Sequence, residues 1–379
     1  MRVLVIGGTG PSGPHLVNGL LARGHEVIIL HGGFHEVEFD REIEHIHTDP
    51  HFAETLEPAL AGRTFDTVIA TYGRVRVIAE TLRGRTGRFI SVSGAGGYAP
   101  RSDERWGALG RPPAIREDGP KRDERWAEDK LWHKIWLTEQ AVMAMHAAGD
   151  FRATIFRYPL VYGPHAPAPL DWSIVRRILD GRRQFILGDN GLLIQRWGYA
   201  ANVAHALLLA VDQPEACSGQ IYHVADDVQH SLRQRIELIA RTLGHEWELV
   251  NLPQNLAARA CPLWGDHKHM TYDSTHMAFD TTKVRTQLGY SDKVPTAEAI
   301  ALSAKWLAAH GRERAAEMEK QLGDPFAYEA EDELIRRART QGLDAAAMVE
   351  FPVIERGHTY RHPKKAGEDW SAGSAGTRA

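Results

Sequence analysis

The sequence predicts a doubly wound parallel α/β sheet with a smaller mixed α/β lobe and a helical C-terminal extension. Three observations carry this reading. "VLVIGG" (3–8) is an unbroken apolar run ending in glycines, as expected of a strand buried on both faces. An amphipathic segment around "GPHLVNGLLARG" follows and stops at Gly24, the pattern of a helix with a glycine C-terminus. Strand-like and helix-like segments then alternate, which argues for right-handed βαβ units.

The remaining elements follow in order. "EVIIL" (26–30), "IEHIH" (43–47), "TFDTVIAT" (64–71) and "RFISVS" (88–93) read as the second to fifth strands. Residues 98–122 are polar and rich in Pro, Gly and charge, so they read as a surface loop. A long helix is expected over about 123–148, and "RATIFRYPLVYGP" (152–164) reads as a sixth strand running into a turn. The expected organisation is a nucleotide-binding domain over 1–165, with 195–225 returning to it, and a second lobe over 166–310. An extension covers 311–365, and the small polar tail 366–379 is expected to be disordered. "FPVIERGHTYRHP" (351–363) is more apolar than a linker and is expected to fold over the pocket or against a second subunit.

Composition narrows the function classes. The 379 residues are 43% hydrophobic and 25% charged, ordinary for a soluble globular chain. A net charge of −4 supplies no basic field for nucleic acid. Cys217 and Cys261 are the only cysteines, which excludes a disulfide framework and suggests a reducing compartment. The sequence enters its first strand at once and holds no apolar run long enough for a bilayer. A cytoplasmic location with no membrane partner is the expectation.

"GGTGPSG" places Gly7, Gly10 and Gly13 in a G-x-x-G-x-x-G spacing between a strand and a helix. Glycine permits a tight turn and a close backbone approach to pyrophosphate, which meets the free N–H groups of the helix start. Nucleotide binding is the reading, with Gly7, Thr9, Gly10, Pro11, Ser12 and Gly13 as the contact set and Thr71 at the end of the fourth strand beside it.

With this loop, "HTD" (47–49), "RYPLVYGP", "QRWGYAANVAHALLLAV" (195–211) and "FDTTKVRTQLGY" (279–290), the chain resembles the extended short-chain dehydrogenase/reductases. These are the Rossmann enzymes of the NAD-dependent epimerase/dehydratase group, and the likeness spans about residues 1–310. It implies that Asp49 contacts the adenine edge and that Arg196, at the place of an Arg in the nucleotide-sugar members, grips the substrate's phosphates. It also implies an acidic residue after the second strand for NAD, or a basic one for NADP. Here "LHGGF" offers His31 instead; NAD is expected because no fixed positive charge is present, with NADP the alternative. Relatives often pair through the long helix, where Trp126, Trp132 and Trp136 would suit a homodimer face.

The resemblance fails at one place. The family carries Tyr-x-x-x-Lys on the long helix, four residues before a Glu. Counting back from Glu139 finds Ile135 and Leu131; one register step away lie Lys134 and Lys130. The upstream Ser or Thr falls at Gly94, with Ser93 adjacent. Hydride transfer to a carbonyl needs a proton donor worth about 10²–10⁴ in rate. The candidates are Ser93, Lys134, His133, Tyr98 and Tyr72. An NAD(P)-dependent oxidoreductase or epimerase-like enzyme with non-standard acid/base residues is the reading. A non-redox lyase or isomerase, or a catalytically silent dinucleotide sensor, is the alternative.

His165, Asp171 and Trp172 follow the sixth strand and are expected at the pocket rim, since open α/β sheets bind ligands beyond their strand ends. "GDHKHMTYDSTHM" (265–277) lacks a recognised ligand spacing, and no metal is expected. The histidines at 31, 35, 45, 47 and 51 read as structural.

Overall fold

A seven-stranded parallel sheet organises the chain from Arg2 to His223. The computed structural model describes residues 1–94, 97–128, 130–167, 169–261, 263, 276–352 and 363–368. Along the chain come β1 (Arg2–Ile6), α1 (Gly13–Ala22), β2 (Glu26–His31), β3 (Glu44–His47), α2 (Ala53–Ala59), β4 (Phe65–Ala70), α3 (Val75–Thr81) and β5 (Thr86–Ser93). Then follow β6 (Ala114–Ile115), α4 (Lys130–Ala147), β7 (Arg152–Arg157), β8 (Leu160–Tyr162), α5 (Trp172–Leu179), β9 (Gln184–Gly188), β10 (Trp197–Tyr199), α6 (Ala200–Asp212) and β11 (Gln220–His223). The large sheet has the order β11-β7-β5-β4-β1-β2-β3. Its order reverses direction at β1 and β4, and the crevice beyond their carboxyl ends is where such sheets take ligands.

The unbroken apolar strands have a direct cause. Val3 and Val5 of β1 enter a layer with Leu16, Val17 and Leu20 of α1 and Val203 and Leu207 of α6. Leu4 and Ile6 point the other way, into a layer with Leu56, Ile78 and Val142. Alternate side chains of one strand thus meet two different helical layers, so every position must be apolar.

Two sequence expectations need correction. The sixth strand is two strands, divided at Tyr158-Pro159. β7 stays in the sheet, but β8 leaves it and pairs with β10, because Pro159 has no N–H to continue the ladder. The 98–122 segment is not a solvated loop: it buries Tyr98, Asp103 and Ile115 over the sheet's end.

A second core is built from the rest of the chain. It adds α7 (Leu232–Thr242), β12 (Glu248–Leu252), α8 (Gln254–Ala260), β13 (Ala278–Phe279), α9 (Thr282–Leu288), α10 (Thr296–His310), α11 (Ala315–Leu322), α12 (Tyr328–Thr340) and α13 (Leu343–Ala347). β12 pairs with β9, and β13 with β6. Trp172, Phe185, Ile236 and Ile300 pack with Met318, Leu322, Leu334, Ile335 and Val349. The charged C-terminal helices therefore each turn an apolar stripe inward. Among the described residues, no helix is long and apolar enough to cross a membrane.

Candidate active site

The turn from β1 to α1 divides its glycines by function. A Cβ on Gly7 would sit 2.3 Å from Thr71 Oγ1, and one on Gly13 would sit 2.1 Å from the Gly8 carbonyl oxygen. Gly7 also has φ +105°. Gly10 is different: its Cβ would meet nothing within 4 Å. Thr71 Oγ1 donates to the Ile6 carbonyl at 3.0 Å and so closes the β1–β4 crevice from below. Pro11 and Ser12 are buried, Thr9 is half-buried, and the Ser12 side chain makes no cap to α1. The first N–H groups of that helix therefore keep their ability to bind an anion.

Asp49 is buried after β3. Its Oδ1 accepts from the His51 backbone N–H at 2.9 Å and lies 2.8 Å from His51 Nδ1. Its Oδ2 is buried and has no hydrogen-bond partner, the kind of atom a bound group should satisfy. Tyr72 stands beside it, its ring 5.2 Å from that of His51. Arg74 donates to the Pro363 carbonyl at 2.7 Å, so the far C-terminal segment touches the sheet half of the chain next to this corner. Residues 353–362 lie outside the described residues. His31 is not open at the end of β2; it is buried in a histidine cluster.

At the ends of β5, β7 and β11 lies a buried polar network. Arg157 forks onto Glu139 of α4, Nε to Oε1 at 2.9 Å and NH2 to Oε2 at 2.7 Å. Ser93 Oγ donates to Glu139 Oε1 at 2.7 Å. The single hydroxyl proton of Ser93 is thus committed, and the side chain faces any substrate as an acceptor. Tyr98 lies 2.5 Å from His223 Nε2 and receives Arg157 NH1 at 2.6 Å. His223 Nδ1 faces the Asp280 carbonyl at 3.3 Å, which favours a proton on Nδ1; the one Tyr98 hydroxyl proton then has two acceptors, His223 Nε2 and the Arg116 carbonyl at 3.0 Å. Burial raises the Tyr98 pKa and lowers that of His223.

Sequence reasoning missed Lys121. It pairs with Tyr98 in an isolated antiparallel bridge, its ammonium lies 3.8 Å over the Tyr98 ring, and it donates to the Gly119 carbonyl at 2.8 Å and to that of Glu117. Burial first, and then Arg157, pull its pKa from 10.5 to about 7. Only the 98–122 backbone path brings Lys121 to Tyr98, so no spacing rule could have found it. Below pH 7 folded and unfolded chains both hold this proton. Between pH 7 and about 10.5 only the unfolded chain does, so this group makes stability rise with pH there. The stability of Lys121→Met relative to wild type should therefore be more favourable at pH 6 than at pH 9, by about 2 kcal/mol. Urea unfolding at the two pH values checks this.

The α4 stripe at i, i+4 and i+8 that ends in Glu139 carries Ile135 and Leu131, and Leu131 is 47% exposed. Lys134 is exposed on another face. His133 is buried against Trp136, with Nε2 3.6 Å from Glu124 Oε2 and Nδ1 unpartnered. The expected acid/base candidates therefore do not converge: Ser93 and Tyr98 share one network, while Lys134, His133 and Tyr72 stand apart from it.

Asp171 and Trp172 are corrected from pocket rim to core. Asp171 is 1% and Trp172 0% exposed. Asp171 holds the buried Arg235 through two bonds of 2.6 Å, because an internal guanidinium requires a carboxylate. His165 is exposed, at φ +63°, against Trp306. Arg196 is the informative member of the set. Its guanidinium carbon lies 5.8 Å from the Phe279 ring and NH1 approaches Met277 Sδ at 3.2 Å. Burial and Arg111 push its pKa down to about 10, and no carboxylate faces it among the described residues. His276 accepts from the Ile194 N–H at 3.0 Å; His267, His269, Asp266 and Asp273 lie outside the described residues.

Comparison with known proteins gives a consistent frame. The model of the NAD dependent epimerase/dehydratase family matches residues 133–225. A 3-diazoavenalumate denitrifying reductase of a Streptomyces species is 26% identical over 311 residues, 78% of this chain and 97% of that protein. An uncharacterized protein of Sinorhizobium fredii is 24% identical over 264 residues, 64% of this chain and 69% of its own length. The crystal structure of UDP-glucose 4-epimerase from Thermotoga maritima with UDP-glucose superposes with a TM-score of 0.64 at 18% identity, covering 82% of this chain and 99% of that one. At that identity the likeness is one of fold.

Proposed function

We propose that this chain, whose residues 133–225 belong to the NAD-dependent epimerase/dehydratase family, is an NAD(H)-dependent oxidoreductase acting on a small anionic substrate. The observation that carries the cofactor assignment is the division among the turn glycines. Packing demands glycine at Gly7 and Gly13, but neither packing nor backbone angle demands it at Gly10. A pyrophosphate lying on the start of α1 supplies the missing reason. The orphaned Asp49 Oδ2 fits the adenine end of the same ligand. NAD is favoured over NADP because burial holds His31 neutral, pulling its pKa to about 4, so it offers no charge to a 2′-phosphate. When bound, the cofactor supplies the hydride exchange; the chain's residues bind, orient and exclude water.

Arg196 supports the anionic substrate. A half-buried guanidinium whose Nε is closed off, facing no carboxylate among the described residues, is unfavourable until an anion pairs with it. Arg196→Gln should raise KM for such a substrate at least about tenfold while leaving NADH affinity within about twofold.

Leu131 and Ile135 favour a particular chemistry. Reduction of a carbonyl leaves an alkoxide that needs a proton, and neither side chain can deliver one. Reductive removal of a diazonium nitrogen has no such need: hydride forms the C–H bond, the C–N electron pair leaves with dinitrogen, and no oxygen gains charge. One relative is named a denitrifying reductase, and this second reading extends that chemistry to the present chain. The test has two arms. Titration with NADH and NADPH should give one saturable site, tighter for NADH; binding of neither to the folded protein overturns the cofactor reading. Deuterated NADH should then place deuterium on carbon in products from anionic carbonyl or aryl diazonium substrates. Turnover with the label retained on the cofactor would identify a non-redox reaction instead.

A further inference from the structure

The outer edge of the sheet carries a side-chain cluster that the hydride chemistry does not use. His31 ends β2, and His45 and His47 stand two residues apart on β3, hence on one face of that strand. The parallel register sets His31 opposite His47, so all three imidazoles share that face. The His31 ring lies 5.3 Å from His45 and 4.8 Å from His47. Glu36, from the β2–β3 connection, closes over them. Its Oε2 is 3.2 Å from His45 Nδ1 and 3.8 Å from His31 Nε2, and its Oε1 is 3.2 Å from His47 Nε2. His31 Nε2 and His45 Nδ1 are 3.2 Å apart.

We propose that His31, Glu36, His45 and His47 form a binding site for a borderline divalent cation of the zinc type. A tetrahedral zinc ion bound at about 2.0–2.2 Å has ligands about 3.3–3.6 Å apart. Most of the separations above fall close to that, and all four ligand atoms lie within 4.8 Å of one another. The remaining contraction falls on His47 and Glu36, whose side chains are each 55% exposed and able to rotate. Three imidazoles and one carboxylate select zinc, nickel or copper over magnesium or calcium. The largest charge effects on His31 come from Glu36, which favours a cation, and from His47, His45 and His35, which repel one only when protonated.

One hydrogen bond opposes binding. The Gly33 N–H donates to His31 Nδ1 at 3.2 Å, which puts the His31 proton on Nε2, facing His45. A ligating His31 must shift that proton to Nδ1 and give up the Gly33 contact, a loss of about one ordinary hydrogen bond. His45, His47 and Glu36 therefore dominate affinity, and His31 contributes least. The ion ties the last residue of β2, the loop after it and the edge strand β3 into one unit, and so acts as a structural clip.

The test uses untagged full-length protein, stripped with a chelator and titrated with zinc against a chromogenic competitor. One equivalent should bind. Removing even a second-shell partner of a metal costs 10–100-fold, so His45→Ala, His47→Ala and Glu36→Gln should each weaken binding at least about tenfold. His35→Ala should leave it unchanged. Cobalt(II) should give the intense visible absorption of a tetrahedral site, absent from the His45→Ala/His47→Ala double variant. These positions are half-buried or exposed, and far-UV circular dichroism verifies that each variant is folded. Wild type binding no more zinc than the folded double variant, or binding it without tetrahedral cobalt absorption, overturns the proposal.

Discussion

Arg177→Leu should destabilise the second core by about 3–5 kcal/mol, the usual effect of removing one partner of a buried ion pair. Arg177 is 2%, Asp324 4% and Glu331 2% exposed. The guanidinium reaches Asp324 at 2.7 and 3.0 Å and Glu331 at 2.6 and 3.2 Å, and also donates to the Ser173 and Ala260 carbonyls. Leucine strands Asp324 in a space closed to water and leaves Glu331 only the more distant Arg182 NH2, at 3.8 Å, so each must stay charged with little or no compensation or take up a proton. The same triad fastens the connection after α11 and the helix α12 onto α5, so its loss should also loosen the C-terminal extension. Urea unfolding followed by far-UV circular dichroism measures the loss. The combined Arg177→Leu, Asp324→Leu and Glu331→Leu variant should recover a substantial part of it, since no charge is then stranded. A single Arg177→Leu variant as stable as wild type would mean that water reaches these carboxylates.

Gly10→Val should keep the protein folded and lower NADH affinity at least about 100-fold, equivalent to about 2.7 kcal/mol. The expectation rests on Gly10 having no protein atom within 4 Å of a Cβ: the branched side chain finds room in the free protein and then occupies the place of the pyrophosphate. Gly13→Ala is the instructive contrast. Its methyl would lie 2.1 Å from the Gly8 carbonyl oxygen, so it should distort the turn and lower thermal stability as well as binding. Calorimetric titration with NADH, beside thermal melts of both variants, separates the two effects. Equal NADH affinity in Gly10→Val and wild type would move the cofactor away from this turn.

The sheet could be read from the sequence because its cause is local. Val3–Ile6 lie between two helical layers, and a strand covered on both faces must be apolar at every position. The glycine turn was legible for the same reason, since a positive φ at Gly7 and the tight approach at Gly13 act over a few residues. The absence of Tyr-x-x-x-Lys was equally plain, because it is a statement about one helix.

The buried network around Tyr98 could not be read that way. Lys121, Arg157 and His223 meet at Tyr98 from separate strands and a long connection, and sequence separation carries no record of that meeting. Asp171 and Trp172 follow a strand end, the right place for a pocket rim, yet the extension helices and Arg235 cover them. The polar appearance of 98–122 hid a segment whose few apolar side chains are its anchor. The histidines show the division most clearly. Alternation along β3 puts His45 and His47 on one face, which the sequence determines by itself. Whether His31 joins them depends on register, and a slip of one residue would send it to the opposite face. Backbone pairing between β2 and β3 makes that choice, and only the folded chain holds it.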